Sequence, residues 1–209
     1  MKMLSAAVVA LAAAAPAFAQ TTVTIDFDGP AGYVNSILDY YNGGTDALGQ
    51  SGPNLGVSFT EAAVALANDA LGPYYANSPS PIAVMFAFDS SAVMNVASGF
   101  VDRVQFFYSS PQNVLDAVNI YSGLNATGTL LASVSLFGNS QVACSGTYCR
   151  FDLTSVRFAG IGKSISFDGF APNVLFDNVT ISAVPEPGAY LLLALGLVGV
   201  AVARRRRPE

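Results

Sequence analysis

Hydrophobic and polar residues alternate along most of the middle of this chain. The first clear case is Val23-Thr24-Ile25-Asp26-Phe27-Asp28, which puts Val23, Ile25 and Phe27 on one face and the two aspartates on the other. Gly29-Pro30 ends that strand, and a long loop rich in Tyr, Gly and Asn follows over 31–54. Further strands are predicted at 56–60, 82–88, 93–97, 101–108, 118–121, 130–136, 148–153, 164–170 and 174–182. The segment 61–71 is rich in alanine, yet Val64 and Leu66 suit a strand or an irregular stretch as well. About ten short strands with no amphipathic helix argue for one antiparallel β-sandwich, jelly-roll-like in its strand count.

Both ends break this alternation. Lys2 precedes an apolar run over 3–15, and Ala17-Phe18-Ala19 is a small-x-small cleavage pattern, with Gln20 as the first mature residue. The other end reads Val184-Pro185-Glu186-Pro187-Gly188, then an uncharged run over 189–203, then Arg204, Arg205, Arg206 and Arg207. The prolines keep the chain extended and accessible before the run. The run would be helical in lipid, and four arginines cannot cross the bilayer, so they stay on the cytoplasmic side. At about 1.5 Å per residue the run spans roughly 22 Å, against a hydrocarbon core of about 30 Å. That is short for a permanent anchor.

The order of Pro185-Glu186-Pro187, apolar run and arginine block resembles the PEP-CTERM sorting signal of exported bacterial proteins. The resemblance covers the tail and implies handling by an exosortase, a membrane transpeptidase-like protease that removes the tail near the motif. It also implies a Gram-negative source that makes exopolysaccharide and biofilm. The chain then divides into a signal peptide over 1–19, a β-sandwich domain over 20–183 and a sorting signal over 184–209. The expected course is a precursor anchored in the inner membrane, then a protein at the cell surface or in the extracellular matrix.

Removing both ends changes the charge. The domain carries twelve acidic side chains against Arg103, Arg150, Arg157 and Lys163, a balance of −8. Such a surface repels nucleic acid and anionic polymers and suits cations or neutral glycans. Cys144 and Cys149 are the only cysteines, and C-x4-C in an oxidising compartment reads as a short disulfide loop.

Enzyme chemistry has little to work with. The chain has no histidine, which excludes a Ser-His-Asp triad and a histidine-ligated zinc site. Paired aspartates could serve a polysaccharide hydrolase or lyase, but none stands out by spacing.

Two constellations remain. Asp177 alternates with Leu175, Val179 and Ile181 and should share their core face, where a carboxylate needs a partner. First and last strands of a jelly roll often pair, so Asp177 and Asn178 could meet Asp26 and Asp28 and form a Ca²⁺ site. The plain alternative is a bulge at Asp177-Asn178 whose side chain bonds backbone N–H groups. The second constellation holds Tyr33, Tyr40, Tyr41, Asn42 and Asp46, with Tyr74 and Tyr75 in another loop. It could stack on and bond a sugar, or simply cover a sandwich edge. The segment Tyr121-Ser122-Gly123-Leu124-Asn125-Ala126-Thr127-Gly128-Thr129-Leu130-Leu131-Ala132 resembles a hairpin of carbohydrate-binding-like jelly rolls. The expected function is that of an exported, non-enzymatic surface or matrix protein sorted by an exosortase. The alternatives are a lectin-like carbohydrate-binding module and an Asp-dependent polysaccharide hydrolase or lyase.

Overall fold

The computed structural model describes residues 21–140, 148–167, 174–184 and 196. Eleven strands follow one another: β1 (Thr21–Ile25), β2 (Asn35–Ser36), β3 (Val57–Phe59), β4 (Ala63–Ala67), β5 (Ala83–Ala87) and β6 (Val93–Ser109), then β7 (Val114–Tyr121), β8 (Leu130–Leu136), β9 (Asp152–Arg157), β10 (Gly162–Ser166) and β11 (Leu175–Ala183). Every strand pair is antiparallel.

The seventeen-residue β6 holds the architecture together. Its first half lies between β3 and β10, and beyond β10 come β7 and β8. Its second half lies between β11 and β9, and beyond β11 come β5, β4 and β2. β1 pairs with the C-terminal half of β11. The result is two antiparallel layers joined by one strand that belongs to both. Gly99 sits at the passage with φ +88°, and a Cβ there would meet Ile161 Cγ2 at 2.5 Å. Only glycine adopts that conformation in that space without strain. The sequence reading of two separate strands at 93–97 and 101–108 is corrected by this continuity, because the intervening Ser98-Gly99-Phe100 reads locally as a break.

Alternation puts Met94, Val96, Phe100, Val104, Phe106 and Tyr108 of β6 into the core, together with Phe59, Met85, Ile120, Ile165, Phe176 and Ile181 from both layers. Phe167, just past β10, packs edge-on against Phe176 of β11 with centroids 4.9 Å apart. A second, smaller apolar cluster lies on the opposite face of β5 and β11, where Tyr75, Val84 and Leu175 are buried. The strands expected at 56–60, 82–88, 130–136 and 174–182 keep their places within a residue, and 61–71 contributes β4. β1 ends at Ile25 rather than 28, β7 starts four residues before 118, β10 ends at Ser166 rather than 170, and the loop expected over 31–54 contains β2. The strand predicted at 148–153 starts instead at Asp152, and Tyr148 makes an isolated bridge to Tyr75. The signal segment 1–19 and the tail beyond 184 lie outside the described residues, apart from Gly196.

Candidate functional site

Two polar constellations were candidates on sequence, the fold treats each differently, and the structure adds a third region. The first gathers Asp26, Asp28 and Asp177 around Ser80. In Pro79-Ser80-Pro81 the serine carries the sole amide N–H, because its proline neighbours have none. That N–H donates to Asp177 Oδ2 at 2.8 Å, and Ser80 Oγ lies 2.8 Å from Asp177 Oδ1. Ser80 Oγ is also 2.8 Å from the Asp26 carbonyl oxygen. The Asn178 N–H donates to Asp177 Oδ1 at 2.7 Å. Asp28 Oδ1 accepts the N–H groups of Ile82 and Ala83 at 3.0 and 2.9 Å, which fastens the start of β5. Asp26 Oδ1 accepts the Asp28 N–H at 3.2 Å and lies 3.4 Å from the Tyr41 hydroxyl.

Asp177 does not share the face of Val179 and Ile181. The register of β11 on β6 slips between Asp177 and Thr180, and Asn178 there has φ +48°. This β-bulge exchanges the two faces. Before it, Phe176 enters the main core and Leu175 the smaller cluster; after it, Val179 and Ile181 enter the main core. Asp177 therefore lies on the Leu175 side, fully buried beneath the Ser80 loop. Burial pushes its carboxyl up to about 6, with Asp28 adding to the rise, while the Ser80 and Asn178 donors pull the other way. Among the described residues no group of three or more Cys, Asp or Glu side chains converges so as to hold a metal. The Ser80 N–H and hydroxyl and the Asn178 N–H face the two Asp177 carboxylate oxygens.

The tyrosine constellation is divided by the fold. Asp46 is buried, and its oxygens accept the N–H groups of Leu48 and Gln50 and the side-chain amides of Asn35 and Gln50, so it organises its own loop. Tyr41 and Tyr75 are buried. Burial, with the neighbouring Asp26 carboxylate, pushes the Tyr41 phenol up. The Tyr75 hydroxyl donates to the Ile82 carbonyl at 2.8 Å, and burial pushes it up to about 12. Tyr40 packs edge-on against Tyr41. Only Tyr33 and Tyr74 form an outward pair, 5.6 Å between centroids, with the Tyr74 hydroxyl on Asp69.

The third region is a groove of about 210 Å³ on the outer surface of the β3–β6–β10 layer. Asn42, Gly56, Ser58, Asn95, Ala97, Leu124 and Asn125 line it, and none of them is charged. It joins the hairpin 121–132 to β3, β6 and Asn42 of the long loop. Sequence reading noted the hairpin and Asn42 but missed Ser58 and Asn95, whose one signal is a polar residue between apolar neighbours in a strand. A larger hollow, of about 340 Å³, holds Glu61, Asp89 and Phe88. The Ser91 hydroxyl and N–H hold the Asp89 carboxyl below the usual carboxylate range. A general acid of a glycosidase needs the opposite shift.

Fold and surface thus define an all-β, antiparallel domain with an uncharged groove. The chain also carries a protein-sorting tail: residues 183–207 match the PEP-CTERM protein-sorting motif. No curated protein matches the chain. Among solved structures, the chain is similar to a family 29 carbohydrate-binding module from Piromyces equi, with 9% identity over 79% of this chain and 91% of that one, at a TM-score of 0.41. A variant of a second family 29 module, complexed with cellulohexaose, gives 7% identity over 78% and 90% at 0.42. The isomalto-dextranase of Arthrobacter globiformis T6, complexed with panose, gives 13% identity over 79% and 33% at 0.33. These scores lie below 0.5 and are too low to carry an inference about fold or ligand.

Proposed function

We propose that the chain is the precursor of an exported, non-enzymatic surface protein whose tail is removed by an exosortase. The observation that carries this reading is the place of the sorting motif. Its match begins at Ala183, the residue that closes β11. Ala183 pairs with Thr21 on one side and Phe100 on the other, and the Val184 N–H donates to the Gly99 carbonyl at 2.9 Å. Cleavage within Pro185-Glu186-Pro187 would leave all eleven strands whole. Because Thr21 and Ala183 are register partners, leader and tail join the domain at the same end of one ladder. A precursor held at the inner membrane by both segments would need only two cuts to free the domain for the cell surface or matrix. The two-layered pairing suits a jelly-roll-like sandwich in that role. Intact-mass analysis of protein extracted from the surface should find Arg204, Arg205, Arg206 and Arg207 gone, and a strain without the exosortase should keep the uncleaved chain in the inner membrane. Arginines retained in the surface form would overturn the reading.

Export also favours a Cys144–Cys149 bridge. Cys149 is buried and is not free, whereas Cys144 lies outside the described residues. Closing so short a loop should contribute on the order of 2 kcal/mol. Alkylation of the exported protein without reductant should label neither thiol, and labelling of both would refute the bridge.

A second reading, that the domain holds a neutral exopolysaccharide of the biofilm matrix, is favoured by the groove. A domain with a balance of −8 repels anionic chains, and this groove presents amides and a hydroxyl without any charge. Retention of the exported protein on purified extracellular polysaccharide, lost when an unlabelled neutral polymer is added, is the test of that reading.

A further inference from the structure

We infer that the groove between Asn42, Ser58, Asn95 and the Asn125 turn is the site where a neutral polysaccharide binds, one sugar residue at a time along the chain; this rests on the second reading above. The turn that forms one wall is held against strain. Asn125 and Ala126 have φ +54° and +55°, and for Ala126 that conformation is costly. Two anchors impose it. Asn95 and Asn125 bond reciprocally: the Asn95 side-chain N–H donates to Asn125 Oδ1 at 2.9 Å, and the Asn125 backbone N–H donates to Asn95 Oδ1 at 2.7 Å. The Ala126 N–H donates to the buried Ser164 hydroxyl oxygen at 3.0 Å, and that hydroxyl donates to the Gly123 carbonyl at 2.6 Å. A hairpin tip needs no such fastening merely to reverse the chain.

What the fastening positions is a set of unused polar groups. Among the described residues, the Asn42 side chain, the Ser58 hydroxyl and the Asn125 side-chain N–H₂ make no hydrogen bond. An amide and a hydroxyl together supply donors and acceptors, which is what sugar hydroxyls require, since each both gives and takes a proton. Leu124 and Ala97, both exposed, add apolar surface for the C–H face of a ring. Size decides between ligand types. At about 210 Å³ the groove falls short of the roughly 300–1,000 Å³ that encloses a small molecule, so it suits one unit of a polymer laid across the surface. The missing charge in the lining selects an uncharged chain, because exposed and half-exposed amides offer no counter-charge to a carboxylate that the acidic domain also repels.

The test uses the full chain, extracted in a polyoxyethylene detergent so that no sugar detergent competes. Native affinity electrophoresis is run through gels containing dextran, galactomannan, hydroxyethylcellulose or, as the anionic control, alginate. At least one neutral polymer should retard the protein, and alginate should not. Asn42→Ala combined with Ser58→Ala removes two groups that bond nothing among the described residues and leaves the Asn95–Asn125 anchor in place; it should raise the apparent Kd about tenfold, as loss of two modest hydrogen bonds does. Melting of the variant by circular dichroism should match the parent, which separates lost binding from lost fold. Retardation of parent and variant alike would overturn the site while leaving the glycan reading standing. A parent that no neutral polymer retards, or that alginate alone retards, would overturn both.

Discussion

The Ser80–Asp177 knot and the Asn95–Asn125 groove are built from the same kinds of polar atoms and end in opposite conditions. In the knot both carboxylate oxygens of Asp177 face donors, the carboxyl is fully buried, and Ser80 and Asp177 are separated by 97 residues of chain. In the groove the polar groups are partly or wholly exposed, and several have no partner among the described residues. Burying a polar group without a partner costs more than a made hydrogen bond returns. A buried polar cluster whose members are paired, as in this knot, therefore speaks of folding. An exposed group owes nothing to the fold, so spare donors and acceptors held in a strained frame speak of recognition.

The largest expected effect breaks the knot. Asp177→Ala leaves the Ser80 and Asn178 N–H groups without their acceptor in a buried place, which should destabilise the surface-extracted protein by about 3 kcal/mol in denaturant unfolding. A loss below about 1 kcal/mol would mean that water or a shifted backbone replaces the carboxylate, and the contrast with the groove would fall.

A pH series sharpens the same point. The folded Asp177 carboxyl titrates near about 6 against 3.8 ordinarily, so the folded state keeps this proton where the unfolded chain has lost it. Its contribution is complete below about pH 4 and is lost as pH rises through about 6, by on the order of 2–3 kcal/mol. Asp28, Asp26 and the Tyr75 phenol are the titratable groups around it, and Asp28 works in the same direction. Asp177→Asn cannot titrate. The stability of the parent relative to this variant should fall between pH 4 and 6.5, and a flat difference would show that burial does not govern the carboxyl.

The smallest effect belongs to the groove. Ser58→Ala and Asn42→Ala remove groups that bond nothing in the described structure, so each should change unfolding stability by no more than about 0.5 kcal/mol. A loss of about 2 kcal/mol from either would make the groove another structural cluster and erase the distinction.

Local chemistry was enough for some of this protein. The tail is legible because Pro185-Glu186-Pro187, an uncharged run and four arginines act through composition and order, without any partner segment. Strand β8 lies over 130–136 as the sequence predicts, since a Gly- and Asn-rich turn marks its start. Tertiary pairing decided the rest. Period-two reading assumes unbroken register and put Asp177 with Val179 and Ile181; the bulge at Asp177-Asn178, which the sequence offered only as the alternative, is fixed where β11 must fit β6, β5 and β1 together. The same holds for Gly99, which reads as a break and serves as the point where one strand passes between layers. It holds again for the groove, whose walls come from a loop, two strands and a hairpin far apart in the chain. Sequence specifies what a residue can do alone; contact between distant segments specifies which of them are satisfied and which are left to meet a ligand.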